Sequence, residues 1–438
     1  LSPAERQYAT QPSHPRRIHI LGATQPTGQL IAHALRGLAR PPPVTLLLPR
    51  PAALHAWRAA RSQIRLHDGD ADAPDVPRRG FDVEVAPPVR RQHGVVQLDG
   101  EPGVYDAAAD GHERPHEVAA RILRERAAAD AADTADAAAA DAADAADADA
   151  TPALGTEDAD PIHHLIVATR TTRTVGALLG VRHRLGAHST VVLLQDGMGV
   201  TDEVNTHVFP HAAERPHYIR GVLTHAVHAR DGQGFAPVLA RRGTLALALR
   251  EPEAPGVRWP PSARHLLRTL TRSPALVAVG LTPLELQQQQ LERVAVACVL
   301  GPATGLLDAR AGALLHDYGV TRTARLVLAE ASAVMRALPE LAGVVGVQTR
   351  FASARLERLV VAVAQRGGGE RVMRDMRAGI ETEVRFANGW VVRRGEELGM
   401  HCVVNYALMQ LVMAKARVVG RERKDEVPGE GEVPGEVW

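Results

Sequence analysis

The 438 residues predict an α/β protein: a doubly wound, mostly parallel sheet domain followed by an all-helical domain. Three observations carry that expectation. A strand, a glycine-bearing turn, a helix and a second strand follow one another from Arg17 to Leu48, within about thirty residues. Further apolar strands stand at 164–168 and 190–194. Beyond Pro261 the apolar residues fall at helical spacing, with Arg and Glu on the opposite face.

The first strand is Arg17-Ile18-His19-Ile20-Leu21, ended by Gly22. After the turn to Gly28, residues Leu30, Ile31, Ala34, Leu35 and Leu38 mark one face of a helix, and Pro41-Pro42-Pro43 stops it. Val44 to Leu48 reads as a buried strand, and Phe81 to Val85 alternates like another. Between Arg65 and Asp160 the pattern otherwise fades. Residues 127–150 are almost wholly Ala and Asp, and repeated Asp with one sign of charge reads as a solvated, disordered insertion. Order returns with the strand His164–Ala168, a helix through Val175, Leu178 and Leu179, and the strand Thr190–Leu194. Gly221–His225 and Gly243–Leu247 close this Rossmann-like half. Helices are expected over 291–300, 323–338, 352–364 and 391–398, with Gln287 to Gln290 as a solvated connector. The resulting division is 1–16, a disordered or presequence remnant; 17–255, the α/β domain; 256–418, the helical domain; and 419–438, a disordered tail.

Composition narrows the class. The formal charge of +1 argues against a broad nucleic-acid-binding surface. Two cysteines, Cys298 and Cys402, exclude a disulfide framework and a cysteine-rich zinc site. Cys298 falls on the apolar side of its helix, as a packing residue would. Twenty histidines show no spacing joined to a carboxylate cluster, so no metal is expected. No run approaches the eighteen or so apolar residues a membrane helix needs, so no membrane insertion is expected. The chain opens on Leu1 rather than Met, and Arg6-Gln7-Tyr8-Ala9 resembles a mitochondrial presequence cleavage site, although a featureless terminus reads the same way.

The loop Gly22-Ala23-Thr24-Gln25-Pro26-Thr27-Gly28 is the first candidate site. A dinucleotide loop needs glycine where the chain turns and where backbone approaches pyrophosphate, with the next helix's N-terminus facing the phosphates. Here the frame is one residue longer than usual and the middle glycine is absent, so a plain strand–helix turn stays open as the alternative. Arg50 stands just past the second strand, where an arginine accommodates the 2′-phosphate of NADP, or where a solvated loop arginine would stand equally well.

Taken together the segments resemble the ketopantoate reductase (2-dehydropantoate 2-reductase) family, in a divergent fungal form. The resemblance runs from about Arg17 to Leu411, interrupted by the Ala/Asp insertion. Its most specific stretches are Val191 to Gly199 (ending Gln195-Asp196-Gly197-Met198-Gly199), Gly301-Pro302 to Asp308, Asp375 to Gly379, Thr382-Glu383, Asn388-Gly389, Arg393 to Gly399, and Val404-Asn405. The resemblance implies an NADP(H)-binding first domain, a helical second domain with the substrate between them, and a homodimer. Hydride passes to the keto carbon of a small 2-keto acid, as in pantothenate biosynthesis, with a lysine as general acid, asparagines holding it, and a glutamate gripping the substrate.

Residue by residue, the carry-over is mixed. The lysine position is Arg293, and a guanidinium, with a pKa above about 12, is a poor proton donor near neutrality. The accompanying asparagines are Ala297 and Gly301, and that of the usual Gln-Asn-Gly-Met-Gly is Asp196, expected to repel a carboxylate substrate or cofactor phosphates. A first-domain lysine is replaced by Arg170, and the serine-bearing approach to Asp375 by Arg371-Val372. Glu383, Asp375, Thr224-His225, Gly197, Gly199 and Asn405 are retained. The resemblance therefore assigns Arg293 and Glu383 to catalysis and Asp375 and Glu383 to substrate. It assigns Gly22, Thr24, Thr27, Gly28, Arg50, Arg170, Asp196 and Gly197 to the cofactor. Two functions follow as expectations: a reductase with impaired turnover, or a degenerate NADP(H)-binding or scaffold protein in a mitochondrial assembly or translation complex.

Overall fold

The computed structural model describes residues 16–69, 75–86, 88–92, 95–98, 105–106, 160–230, 233–249 and 260–426. The Ala/Asp run, the presequence-like segment and the chain past Glu426 lie outside them. Two compact units emerge, Leu1–Gln195 with Asp202–Pro283, and Asp196–Thr201 with Leu284–Trp438.

The first unit is organised by an eight-stranded sheet. In chain order its strands are β1 (Ile18–Leu21), β2 (Val44–Leu48), β3 (Asp82–Val85), β4 (His164–Val167), β5 (Thr190–Leu193), β6 (His217–Leu223), β7 (Leu245–Leu249) and β8 (Ala278–Gly280). They lie in the order β8-β7-β6-β5-β4-β1-β2-β3. All neighbours run parallel except β6 and β7, which are antiparallel. Strands β1, β2, β4 and β5 are buried along their whole length. That burial explains their continuous apolar runs, since helices cover both faces of such a sheet. Ile18, Ile20, Leu46, Leu48, Ile166, Val192 and Ile219 form its core with Leu30, Ile31 and Leu35 of the helix Pro26–Arg36. Each such side chain contributes roughly 1.5–3 kcal/mol by leaving water. With few aromatics to draw on, the unit stacks Trp57 edge-on against Phe81 and Phe235, at centroid distances of 5.8 and 4.8 Å.

The chain winds outward from β1 through β2 to β3, then crosses back to place β4 on the other side of β1. The strand order therefore reverses between β1 and β4, the place in such sheets where ligands bind outside the carboxyl ends of the strands. A second sheet joins Ala226–Arg230, Gln233–Arg241, Ile64–Asp68 and Val76–Arg78, and a third joins Val89–Gln92, Val95–Leu98 and Tyr105–Asp106. The sequence pattern did not predict either. Ile64–Asp68, for example, is buried only at Ile64 and His67, so no clean alternation marks it.

The second unit is helical, with long helices Pro283–Leu307, Tyr318–Ala337, Ser353–Gln365 and Val403–Glu426. Leu291, Val294, Cys298, Val327, Leu328, Phe351 and Trp390 are among its core residues. Pro302 sits inside the first of these helices. Lacking an N–H, it cannot bond the carbonyl of Cys298 four residues earlier. Asn388 answers that orphan: its Nδ2 donates to Cys298 O at 3.0 Å and to Asn405 Oδ1 at 3.0 Å. Glu330 in turn accepts the N–H groups of Val404 and Asn405, at 2.9 and 3.0 Å, at the start of the last helix. An acid at a helix N-terminus satisfies donors that have no partner within the helix.

Three expectations are corrected. The α/β unit continues past residue 255 to Pro283, because the helix Pro261–Thr271 and β8 complete its sheet layer. Gln287 to Gln290 is helix rather than connector, with Gln288 and Gln290 buried and Gln288 Oε1 accepting from Arg350 Nη1 at 2.7 Å. The last helix runs eight residues beyond the expected order limit at 418, to Glu426.

Candidate functional site

In the first unit, Gly22 ends β1 with φ +91°, a conformation open to glycine. A Cβ there would stand 2.7 Å from the backbone of Ala168 and Thr169, at the end of β4. A Cβ at Gly28 would stand 2.4 Å from Gly22 O. The two glycines thus let the first helix abut the strand ends on either side of the reversal point. Gln25 precedes the helix, donates its N–H to Gly22 O at 2.9 Å, and is followed by Pro26 at the first helical position. Gln29 N–H reaches Gln25 O at 3.0 Å. Of the four N–H groups a helix start normally leaves without an intrahelical partner, proline removes one and the turn uses another. The N–H groups of Thr27 and Gly28 remain for an anion.

Arg50 follows the end of β2 and caps the helix Pro51–Ala59 with extended backbone. Arg170 follows the end of β4, and its carbonyl accepts from Thr174 Oγ1 at 3.0 Å. Gly22, Arg50 and Arg170 therefore share the carboxyl edge of three parallel strands, β1, β2 and β4. Gln195, after β5, is tied to that edge, donating through Nε2 to Val167 O at 2.9 Å and Thr169 O at 3.3 Å. The cradle fits a phosphate-bearing dinucleotide: its turn has no room for a side chain and its helix presents two donors, with Arg50 following the neighbouring strand.

Asp196 and Gly197, which the resemblance gave to the cofactor, belong to the second unit. Gly197 has φ +105°, and a Cβ there would meet Phe386 Cβ at 2.7 Å. Met198 N–H donates to Phe386 O at 2.9 Å. This close seating carries Asp196 to Arg293. Arg293 donates to Asp196 Oδ1 through Nε at 3.1 Å and Nη2 at 2.5 Å. Arg371 Nη1 stands 3.4 Å from Asp196 Oδ2 and donates to Glu383 Oε2 at 3.0 Å. Asp375 is 3% exposed and adds a carboxylate to the field around Arg371. Burial works against the charged form of Asp196, but Arg293 and Arg371 outweigh it and hold the carboxyl below its ordinary value. Glu383, with burial opposing and Asp196 assisting, raises Arg371 further above the usual guanidinium range. The repulsion expected from Asp196 is thus met by two guanidinium groups.

Arg293, Ala297 and Gly301 share one stripe of the helix Pro283–Leu307, four residues apart. A Cβ on Gly301 would lie 3.1 Å from Val372 Cγ2, so Val372 occupies the space into which a larger residue at 301 would reach. Glu292, next to Arg293, is pinned by Arg350 Nε at 2.8 Å and Arg355 Nη1 at 2.6 Å. The retained residues Asn405 and His225 prove to be architectural. His225 donates from Nε2 to Leu276 O at 2.9 Å and accepts the Gly243 N–H at Nδ1, 3.1 Å away. Burial pushes the thiols of Cys298 and Cys402 up, the latter to about 11, which leaves both as unreactive packing groups at neutral pH. Sequence reasoning undervalued Arg371, which it saw only as the loss of a serine. It also passed over a plain signal: the chain holds two lysines, Lys415 and Lys424. Lys415 donates to Gly305 O and Leu306 O at 2.8 and 2.9 Å, capping a helix end.

Two family models match. Ketopantoate reductase PanE/ApbA covers residues 114–246, and its C-terminal counterpart covers residues 285–416. The chain belongs to the ketopantoate reductase family. It is 24% identical over 262 residues to a protein described as a probable 2-dehydropantoate 2-reductase from Schizosaccharomyces pombe, covering 58% of this chain and 74% of the relative. The fold is shared with a PanE/ApbA family ketopantoate reductase from Ralstonia eutropha JMP134, at a TM-score of 0.58 and 16% identity over 93% of this chain and 99% of the other. It is also shared with D-mandelate dehydrogenase solved with NADH and anilino(oxo)acetate, at a TM-score of 0.59 and 13% identity over 92% and 99%. Among the described residues no helix is long and apolar enough to cross a membrane, and no group of three or more His, Cys, Asp and Glu could hold a metal.

Proposed function

We propose that the chain is an NADP(H)-dependent reductase of the ketopantoate reductase type, in which reduction of 2-dehydropantoate or a related small 2-keto acid is slow or absent. One observation carries this reading: the general-acid position holds Arg293, whose guanidinium is already engaged by Asp196. NADP(H), when bound, supplies the hydride for a keto carbon. Gly22 and Gly28 admit the pyrophosphate, with the N–H groups and hydroxyls of Thr24 and Thr27 beside it, and Arg50 reads the 2′-phosphate. Arg170 adds positive charge at the same strand edge. Arg293 and Glu383 bind and orient the carbonyl compound with Asp375 behind them. Arg293 polarises the carbonyl oxygen but retains its proton near neutrality, and losing a general acid costs about 10²–10⁴ in rate.

The test is NADPH oxidation by the purified chain with 2-dehydropantoate. The expected rate is at least about 10²-fold below that of an ordinary reductase, and an ordinary rate overturns the reading. A second reading is favoured by Val372 filling the space beside Gly301: NADP(H) binding without turnover, with the chain serving as a scaffold in a mitochondrial assembly or translation complex. Saturable quenching of the tryptophans by NADPH with no turnover of any 2-keto acid would select it. A mitochondrial location rests on Arg6-Gln7-Tyr8-Ala9 and is tested by import into isolated mitochondria. Self-association as a homodimer is tested by sedimentation.

A further inference from the structure

Asp196 links Arg293 to a second group of charges around Arg371. Asp196 faces two guanidiniums, Arg293 and Arg371. Arg371 faces Glu383 and Asp196, with Asp375 also in its field. Both guanidiniums are thus already engaged by carboxylates of the chain itself. Nε and Nη2 are the donors a guanidinium offers side by side to an incoming carboxylate. On Arg293 both are turned to Asp196 Oδ1. The Nη1 of Arg371 is likewise directed to Glu383 at 3.0 Å and Asp196 at 3.4 Å. A free 2-oxo acid would have to displace one of these internal carboxylates or sit beside their like charge. The flank is also short of polar groups, since Ala297 and Gly301 carry none and Val372 presents a methyl toward Gly301.

We propose that Asp196 is a built-in occupant of the carboxylate position, so that the compound this site takes is uncharged beside its ketone: a 2-oxo amide, ester or lactone rather than a free 2-oxo acid. This rests on the preceding reading that the Arg293 face receives the substrate. It also supplies a second route by which the acid would be handled slowly, since the cations that would draw it in are already engaged by internal carboxylates. Asp196 acts here on ligand choice and holds the two guanidiniums in place.

The test is calorimetric titration of the full chain saturated with NADP+, comparing 3-methyl-2-oxobutanamide with 3-methyl-2-oxobutanoate. The two have nearly the same shape and differ in charge. The amide is expected to bind about tenfold more tightly, equivalent to ~1.4 kcal/mol. In Asp196→Asn, where both guanidiniums lose their shared carboxylate, the order is expected to reverse. The wild-type comparison decides by itself should that variant fail to fold. Acid binding as tightly as amide to the NADP+-loaded chain overturns this proposal and leaves the reductase reading standing. Failure of NADP+ and NADPH themselves to bind removes both.

Discussion

Asp196 offers a single oxygen, Oδ1, to two nitrogens of Arg293, at 3.1 and 2.5 Å. The side chains are 38% and 39% exposed, so solvent screens the pair. A coupling of roughly 0.5–1 kcal/mol is expected between Asp196→Asn and Arg293→Lys in a double-mutant cycle read by urea unfolding. Asp196→Asn leaves the guanidinium uncompensated, Arg293→Lys keeps the charge but loses the two-nitrogen contact to Oδ1, and the double change removes much of the combined penalty. Strict additivity would show that the two positions changed independently.

Reverting the lysine–asparagine stripe will not succeed alone. An asparagine at 301 places its Cβ 3.1 Å from Val372 Cγ2. Gly301→Asn is expected to cost about 1–3 kcal/mol through overpacking, less a few tenths recovered by removing a helical glycine. Adding Val372→Ser should recover most of the loss. Activity is therefore expected from Arg293→Lys, Ala297→Asn and Gly301→Asn only in the Val372→Ser background, measured by NADPH oxidation. Equal stability of Gly301→Asn with and without Val372→Ser contradicts the packing account.

The glycine turn can be probed with one methyl group. Gly28→Ala sets a Cβ 2.4 Å from the backbone oxygen of Gly22, which has no flexible end to move aside. The helix must withdraw from the strand, at a cost of about 2 kcal/mol or more, and the NADPH-dependent tryptophan response should vanish. Thr27→Ala removes a hydroxyl without a clash and should leave the unfolding midpoint nearly unchanged while weakening NADPH binding.

Acid should destabilise the first unit through two buried imidazoles. Burial, helped by Arg184 and Arg17, holds His19 down at about 3. Burial and Arg78 hold His33 at about 4, although its Nε2–H donates to Val76 O at 2.8 Å. Both stay neutral in the fold, while the unfolded chain takes up protons below about pH 6.5. Stability is therefore level above pH 7 and falls as pH drops from about 6.5 toward 4, by up to ~1.4 kcal/mol per pH unit for each histidine. Urea midpoints at pH 7.5, 6 and 5 test this, and His33→Gln should shallow the decline. Rising stability on acidification from pH 7 to 5 would contradict it.

Much of the first unit was legible because its strands are buried on both faces. Val44–Leu48 announces itself as five apolar or β-branched residues between a proline stop and Pro49. The second sheet was not, since Ile64–Asp68 and Val76–Arg78 carry mixed burial and no regular alternation. Gln287 to Gln290 misled for a related reason. Its polar side chains suggest solvent, yet Gln288 is buried by an arginine 62 residues further along the chain.

What the sequence determined by itself is local. Gly22 and Gly28 mark the turn because no other residue fits a positive φ or a contact that close, and Pro26 starts the helix because its missing N–H costs nothing there. Tertiary structure decided the rest. Asp196 and Arg293 are 97 residues apart, and whether that aspartate repels a ligand or neutralises a guanidinium depends on which charges folding brings within reach. The carbonyl that Pro302 leaves unbonded finds Asn388 only because a distant helix packs there. Charge pairing and hydrogen-bond satisfaction are set by distance in space, and a sequence records only distance along the chain.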